Sequence, residues 1–311
     1  MSVVLIAAPL PPFLAEPLKA AYLCHDYFHA ADKAALLAEC GPHVQAIVMS
    51  GGTVLQEPLL DSLPALMMIS VFGVGYDGVP LGYCRARGIR VSNTPDVLTE
   101  DVADTALALT LMTARRLVEA NRFLHAESWP QGAFPLGTAL GRKRAGIFGL
   151  GRIGKAIARR LSVCSMEIGY HGRARQPSEQ YAFFPTLIQL AEWADFLIVS
   201  CPGGDETKHA VNAEVLRSLG SRGTLINIAR GSIVDEAALM NALQRGGIQA
   251  AGLDVFEHEP QVPAELMKLG NVVLLPHIGS ATDETRKGMA NLVLRNLAAH
   301  FSGGALVTPV N

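Results

Sequence analysis

No two cysteines in this 311-residue chain are spaced C-x-x-C. The five present, at 24, 40, 84, 164 and 201, offer neither a disulfide framework nor a zinc set and read as small core residues of a reducing compartment. The nine histidines suggest no compact metal-ligand cluster, so no metal is expected. Charge is scarce as well: Asp, Glu, Lys and Arg make up 17% of the chain, and the net charge is −2. That balance argues against a nucleic-acid partner held by phosphate contacts. No apolar run reaches the roughly 20 residues of a membrane span, so no membrane is expected as a partner. The apolar stretch from Val3 to Leu10 has no basic region before it and prolines after it, which suits a first β-strand better than a signal peptide. A cytoplasmic protein is the expectation. There is no internal repeat and no low-complexity linker. What is abundant is apolar side chain, 50% of residues, enough for a compact core in one large domain or two.

The apolar runs alternate with helical patterns. Val3–Ala7, Ala46–Met49, Met67–Val71 and Gly88–Asn93 read as strands, with Pro17–Leu23 and Lys33–Glu39 as helices between them. Residues 99 to 126 contain neither proline nor glycine and predict one long, largely buried helix, suited to a domain connection or a subunit interface. A second set of six strands follows: Arg144–Phe148, Met166–Tyr170, Phe196–Cys201, Thr224–Ile228, Ala250–Val255 and Val272–Leu275. Helical segments Lys155–Leu161, Pro185–Glu192, Asn212–Leu219 and Glu236–Arg245 separate most of them. This alternation predicts an α/β protein with a doubly wound parallel sheet. Asp283 to His300 reads as a final helix that returns to the first domain. The domains are expected at 1–94, completed by 282–311, and at 95–281.

One motif stands at the head of the second set. Gly149-Leu150-Gly151-Arg152-Ile153-Gly154 follows an apolar run and precedes a helix. Gly149 suits a tight turn, Gly151 a close approach of backbone to pyrophosphate, and Gly154 close packing of helix on strand. Phosphates would then lie on free helix N–H groups. Alone, the pattern also fits an ordinary turn in an α/β protein. An NAD site commonly has an acid about 20 residues further on; here the chain reads His171-Gly172-Arg173-Ala174-Arg175-Gln176, with no acid until Glu179. An arginine fork pairs with a 2′-phosphate that an acid would repel. NADP(H) is therefore the expected cofactor, with Arg173 the leading contact, Arg175 a second, and Gly172 giving the phosphate room. Both arginines would otherwise be solvated loop residues.

Three more residues fall just past predicted strands, where a doubly wound sheet lines its ligand crevice: Arg230, Glu259 and His277. An arginine, an acid and a histidine there can bind an anionic ketone and protonate it. Taken singly, each is more often structural, and Glu257 competes with Glu259. In the first part, Phe72-Gly73-Val74-Gly75-Tyr76-Asp77 suits either a backbone concavity for an anion or a plain turn.

Taken together, these elements resemble the D-isomer-specific 2-hydroxyacid dehydrogenases, in particular the glyoxylate/hydroxypyruvate reductase and hydroxyphenylpyruvate reductase branch. The resemblance covers nearly the whole chain. It is carried by Asn93-Thr94-Pro95, the Gly149–Gly154 loop, Asn227 to Gly231, Gly252 to Pro260, and Pro276 to Ser280. It implies a two-domain protein, a Rossmann domain beside a flavodoxin-like one, and reversible reduction of a 2-keto acid to a D-2-hydroxy acid. Arg230 would bind the substrate carboxylate and carbonyl, His277 would be the acid–base catalyst, and Glu259 would pair with His277. Val74 and Gly75 would give N–H groups to the substrate carboxylate, and closure between the domains would exclude water. Asp254 would contact the nicotinamide carboxamide and Pro202, after Cys201, would line the adenine pocket; Ile228 and Gly279 belong to the same cofactor set. Helix 100–122 would form a homodimer interface, with Trp129 either a core anchor or a cap on the neighbouring pocket. Glyoxylate and hydroxypyruvate are the preferred substrates, with 4-hydroxyphenylpyruvate and 2-ketogluconate as alternatives. A dinucleotide-sensing corepressor is the alternative of another class, which the intact Arg230, Glu259 and His277 set disfavours.

Overall fold

The structure, a computed structural model, describes residues 1–311. The chain divides into two compact units: Met1–Leu98 with Thr282–Asn311, and Thr99–Ala281.

In chain order the first unit holds β1 (Val3–Ile6), α1 (Pro12–Ala21), β2 (Leu23–Asp26), α2 (Lys33–Cys40), β3 (Val44–Ser50), α3 (Glu57–Asp61), β4 (Met68–Phe72), α4 (Leu81–Ala86) and β5 (Arg90–Ser92). Its strands pair in parallel in the order β2-β1-β3-β4-β5, the doubly wound order of flavodoxin-like sheets. β4 is buried at every position, as a central parallel strand covered on both faces must be. Its one hydroxyl, on Ser70, is met by the Ser92 hydroxyl of β5 at 3.0 Å, which removes the cost of burying either alone.

The second unit holds α5 (Thr99–Arg115), α6 (Leu117–His125), β6 (Arg144–Phe148), α7 (Arg152–Val163), β7 (Glu167–His171), β8 (Ala182–Phe183), α8 (Leu187–Trp193), β9 (Phe196–Val199), α9 (Ala213–Leu219), β10 (Thr224–Asn227), α10 (Glu236–Gln244), β11 (Ala250–Leu253), α11 (Ala264–Met267) and β12 (Val272–Leu274). The chain then returns to the first unit as α12 (Asp283–Phe301). The second sheet is also parallel, ordered β12-β11-β10-β9-β6-β7-β8. The order reverses between β6 and β9, so a ligand crevice is expected beyond the carboxyl ends of those two strands. The last turn of α7 is tied to the start of α5: Arg160 meets Glu100 and Asp104, each at 2.7 Å. No helix is long and apolar enough to cross a membrane.

Several elements differ from the sequence reading. The single helix over 100–122 is two helices, broken at Arg116, whose backbone is left-handed (φ 53°). The cause is tertiary. The segment after α6 folds back so that Thr138 N–H donates to the Ala114 carbonyl at 2.7 Å, taking an acceptor at the end of α5. α1 starts at Pro12, where a proline costs no hydrogen bond, and carries Pro17 in its interior, where one bond of the ladder is given up. The half-exposed edge strand β2, whose Leu23 is 50% exposed, and the two-residue β8 have too little apolar pattern to be read from sequence. His25 and His29, four apart, do not share a helix face: β2 ends at Asp26 and a 3-10 turn spans Tyr27–His29.

Candidate active site

β6 ends at Phe148 and the glycine loop begins. Gly149 has a left-handed φ of 100°, and a Cβ there would run into the backbone of Cys201, just past β9. A Cβ on Gly154 would overlap the Gly149 carbonyl, so only glycine lets α7 start so close to the turn. Gly151 differs: a Cβ would meet nothing within 4 Å, so its face is open. Gly151 is also the N-cap of α7, with no side chain capping the helix. The N–H groups at Arg152, Ile153 and Gly154 therefore begin a helix with no side-chain acceptor, a ready place for an anion. An open face and an uncapped helix at a switch point fit the pyrophosphate of a dinucleotide.

Other residues of the cofactor set frame this loop. Leu150 is buried, and its carbonyl accepts Gln176 Nε2 at 2.8 Å. Cys201 is buried, which pushes its thiol up to about 12 and leaves it a packing residue. The Pro202 carbonyl accepts the Thr207 hydroxyl at 2.8 Å, and Ile228 is buried beyond β10. Past β7, Gly172 has open space around it, and Arg173 and Arg175 are exposed. The one nearby acid, Glu179, is engaged: its carboxylate lies 2.8 Å from Lys155 Nζ on α7. Gln176 also gives its backbone N–H to the Tyr170 hydroxyl at 2.7 Å. Gln176, Lys155 and Glu179 hold the arginine loop against the glycine loop. The sequence singles out only Glu179, as the first acid past the arginines; no local signal distinguishes Gln176 or Lys155.

At the carboxyl ends of β10, β11 and β12 the structure assembles the remaining residues. The buried Asn227 closes the Arg230 turn, its Oδ1 accepting from Ala229 N–H (3.1 Å) and its Nδ2 donating to the Arg230 carbonyl (2.9 Å). The half-buried Arg230 guanidinium donates to the Ala229 carbonyl at 2.7 Å. After β11, the buried Asp254 accepts from the N–H groups of Ile278 (2.7 Å) and Gly279 (2.8 Å). Burial raises its carboxyl above the ordinary value, against the two N–H groups and the His277 charge. Gly279 leaves room for this clamp, since a Cβ there would lie 3.0 Å from Asp254 Oδ2. The clamp fixes the residues next to His277, whose own backbone is left-handed (φ 52°), a conformation uncommon outside glycine.

Nδ1 of His277 lies 2.7 Å from Glu259 Oε2. The other oxygen, Oε1, accepts from Phe256 N–H at 3.0 Å. Burial pushes the Glu259 carboxyl up, but the hydrogen bond and charge of His277, the Phe256 N–H and the Arg230 charge together hold it below the usual carboxylate range. A carboxylate can only accept, so Nδ1 carries the proton and Nε2 is left to hold or take a proton from a ligand. Glu257, the competing acid, faces His209 instead. Val74 and Gly75 belong to the first unit, in the loop after β4. There the Val74 carbonyl accepts from Asn93 Nδ2 at 2.8 Å, and neither residue's N–H donates to a backbone carbonyl.

A parallel sheet with a dinucleotide loop at its switch point, and an arginine with a carboxylate-bound histidine beyond neighbouring strands, describes a nicotinamide-type dehydrogenase. Residues 107–279 match the family model of the D-isomer specific 2-hydroxyacid dehydrogenase, NAD binding domain. The chain is 46% identical over 307 residues to a glyoxylate/hydroxypyruvate reductase A of Arabidopsis thaliana, covering 99% of this chain and 98% of that one. It is 45% identical over the same shares to a hydroxyphenylpyruvate reductase of Plectranthus scutellarioides. Among solved structures it is similar to the NADPH-dependent glyoxylate/hydroxypyruvate reductase of Sinorhizobium meliloti in complex with NADP and malonate, with a TM-score of 0.91 and 46% identity over 99% of this chain and 96% of that one. The chain belongs to the D-isomer specific 2-hydroxyacid dehydrogenases and is an oxidoreductase.

Proposed function

We propose that the protein reduces small 2-keto acids, glyoxylate and hydroxypyruvate foremost, to 2-hydroxy acids of D configuration with NADPH. The observation that carries this reading is the 2.7 Å His277–Glu259 contact at the edge of the sheet that also bears the Arg230 turn and the glycine loop. A nicotinamide dinucleotide supplies hydride when bound. Gly149 to Gly154 would hold its pyrophosphate, and Cys201, Pro202, Ile228, Asp254 and Gly279 would line its path. Arg230 holds the substrate carboxylate or carbonyl oxygen and stabilises the charge that develops there. His277 gives a proton from Nε2 to the carbonyl oxygen, and Glu259 orients the ring through Nδ1. In the reverse direction neutral His277 takes the hydroxyl proton. Val74 and Gly75 offer N–H groups to the substrate carboxylate.

The preference for NADPH is supported by the arginines past β7 and by the engagement of Glu179 with Lys155, which leaves no free acid near a 2′-phosphate. Similarity to both a glyoxylate/hydroxypyruvate reductase and a hydroxyphenylpyruvate reductase supports the small acids and an aryl pyruvate alike, so 4-hydroxyphenylpyruvate is the second substrate reading.

A homodimer is part of the proposal. The inner face of α5 is buried against its own unit, so α6 and the segment after it are the surface assigned to the partner. There Leu117, Leu124, Trp129 and Leu136 are 47%, 55%, 68% and 95% exposed. Leu124, Glu127, Trp129 and Pro130 also line a shallow, open depression on this surface. The test of the whole reading is the rate of nicotinamide oxidation across a panel of 2-keto acids.

A further inference from the structure

The second unit contains another imidazole–carboxylate contact. Nε2 of His209 lies 2.7 Å from Oε1 of Glu257, two residues before Glu259 in the same loop. Glu257 is gripped from its main chain as well: its N–H donates to Oε1 of Glu236 at 2.8 Å. Glu236 is buried and is the first residue of α10, so this anchor is a rigid one. His209 is fixed in turn. Its N–H donates to the Ser232 carbonyl at 2.8 Å, its backbone is left-handed (φ 50°), and Val211 bridges Val234 just beyond. The segment after β9 and the start of α10 therefore hold Glu257 from two sides.

The neighbouring residue turns this grip toward the chemistry. Phe256 N–H donates to Glu259 Oε1 at 3.0 Å, which leaves Oε2 for His277 at 2.7 Å. A carboxylate that must meet two donors has few positions that satisfy both, and a shift of about 1 Å in its loop loses one. Since the Glu257 carboxylate can only accept, the contact needs a proton on His209 Nε2. The groups facing Glu257 are His209 and Glu236; those acting on Glu259 are His277, Arg230 and Asp254.

We propose that His209 and Glu257 are a positioning pair: they hold the acid loop so that Glu259 meets Nδ1 of His277. This rests on Glu259 and His277 being the proton-transfer pair. His209→Leu removes the N–H, whereas His209→Gln places an amide N–H near the position of Nε2. The full chain is compared as wild type, Glu259→Gln, His209→Leu, His209→Gln and Glu257→Gln. The readouts are kcat and KM for glyoxylate against pH, the NADPH dissociation constant from fluorescence, and Tm.

The expected result is a fall in kcat/KM of about 10- to 100-fold for His209→Leu. Its alkaline limb should move toward that of Glu259→Gln, NADPH affinity should be unchanged, and His209→Gln should recover most of the loss. A wild-type profile in His209→Leu overturns the proposal. So does a fall in rate and Tm with an unmoved profile, or a His209→Gln no better than the leucine variant. If His209→Leu does not fold, His209→Asn decides, since its amide falls short of Glu257: a moved limb supports the pair and an unmoved one overturns it. An unmoved limb in Glu259→Gln itself instead removes the Glu259–His277 reading, and the positioning role with it.

Discussion

Gly231 and Phe256 meet main chain to main chain: a Cβ on Gly231 would overlap the Phe256 carbonyl and the Glu257 nitrogen. This contact sets the turn bearing Arg230 directly against the loop bearing Glu259. Gly231→Ala must push the two apart, and overpacking of this kind costs about 1–3 kcal/mol. The variant should melt at lower temperature and lose more than about tenfold in kcat/KM, because the displacement falls between two groups of the site. An unchanged Tm and rate would contradict the contact.

Glu259 sets a pH dependence whose sign follows from its depressed carboxyl. A carboxyl held below its ordinary value of 4.5 stays ionised as pH falls from neutral to that value. The contribution of its contact with His277 is complete above the unfolded value and is lost only as pH falls through the folded one. The reduction rate of the wild type should therefore hold level from neutral pH toward 4.5, while Glu259→Gln is slower throughout. Rate profiles with circular dichroism as a folding control test this. A wild-type rate that already falls near about pH 6, with the fold intact, would show a different group in control.

Arg173 provides the test of cofactor choice. Hydrogen bonds to a charged group contribute about 1.5–3 kcal/mol, so Arg173→Ala should raise KM for NADPH about 10- to 100-fold and leave KM for NADH unchanged. Equal losses with both cofactors would assign Arg173 to folding of the loop.

The dimer has its own test. Light scattering should give a mass near twice 33.1 kDa for the wild type, and Leu124→Arg should halve it. A monomeric wild type would leave the apolar surface of α6 for another partner.

The central strands of the sheets were legible in the sequence because they are buried on both faces, whereas the edge strands β2 and β8 were not. β4 and β9 are apolar runs with nothing exposed, and such runs have few other uses. The glycine loop was legible for a related reason, since three positions with different steric demands recur in fixed order. The break at Arg116 was not legible, because its cause is Thr138, far along the chain. The same holds for the details of the site. The Asp254 clamp on Ile278 and Gly279 and the Gln176 bond to Leu150 join residues more than twenty apart. Asn227 is different in kind: its bonds are local, but the sequence reading runs the strand through it to Ile228 and misses the turn it closes.

The measurement that bears most directly on the account is the initial rate of NADPH and NADH oxidation with glyoxylate, hydroxypyruvate, 4-hydroxyphenylpyruvate, pyruvate and 2-ketogluconate, for the wild type and His277→Ala. The account predicts fast NADPH-dependent reduction of glyoxylate and hydroxypyruvate. It also predicts a loss of about 10²- to 10⁴-fold in His277→Ala with NADPH binding retained. No turnover of any acid despite tight NADPH binding, or full turnover without His277, would contradict it.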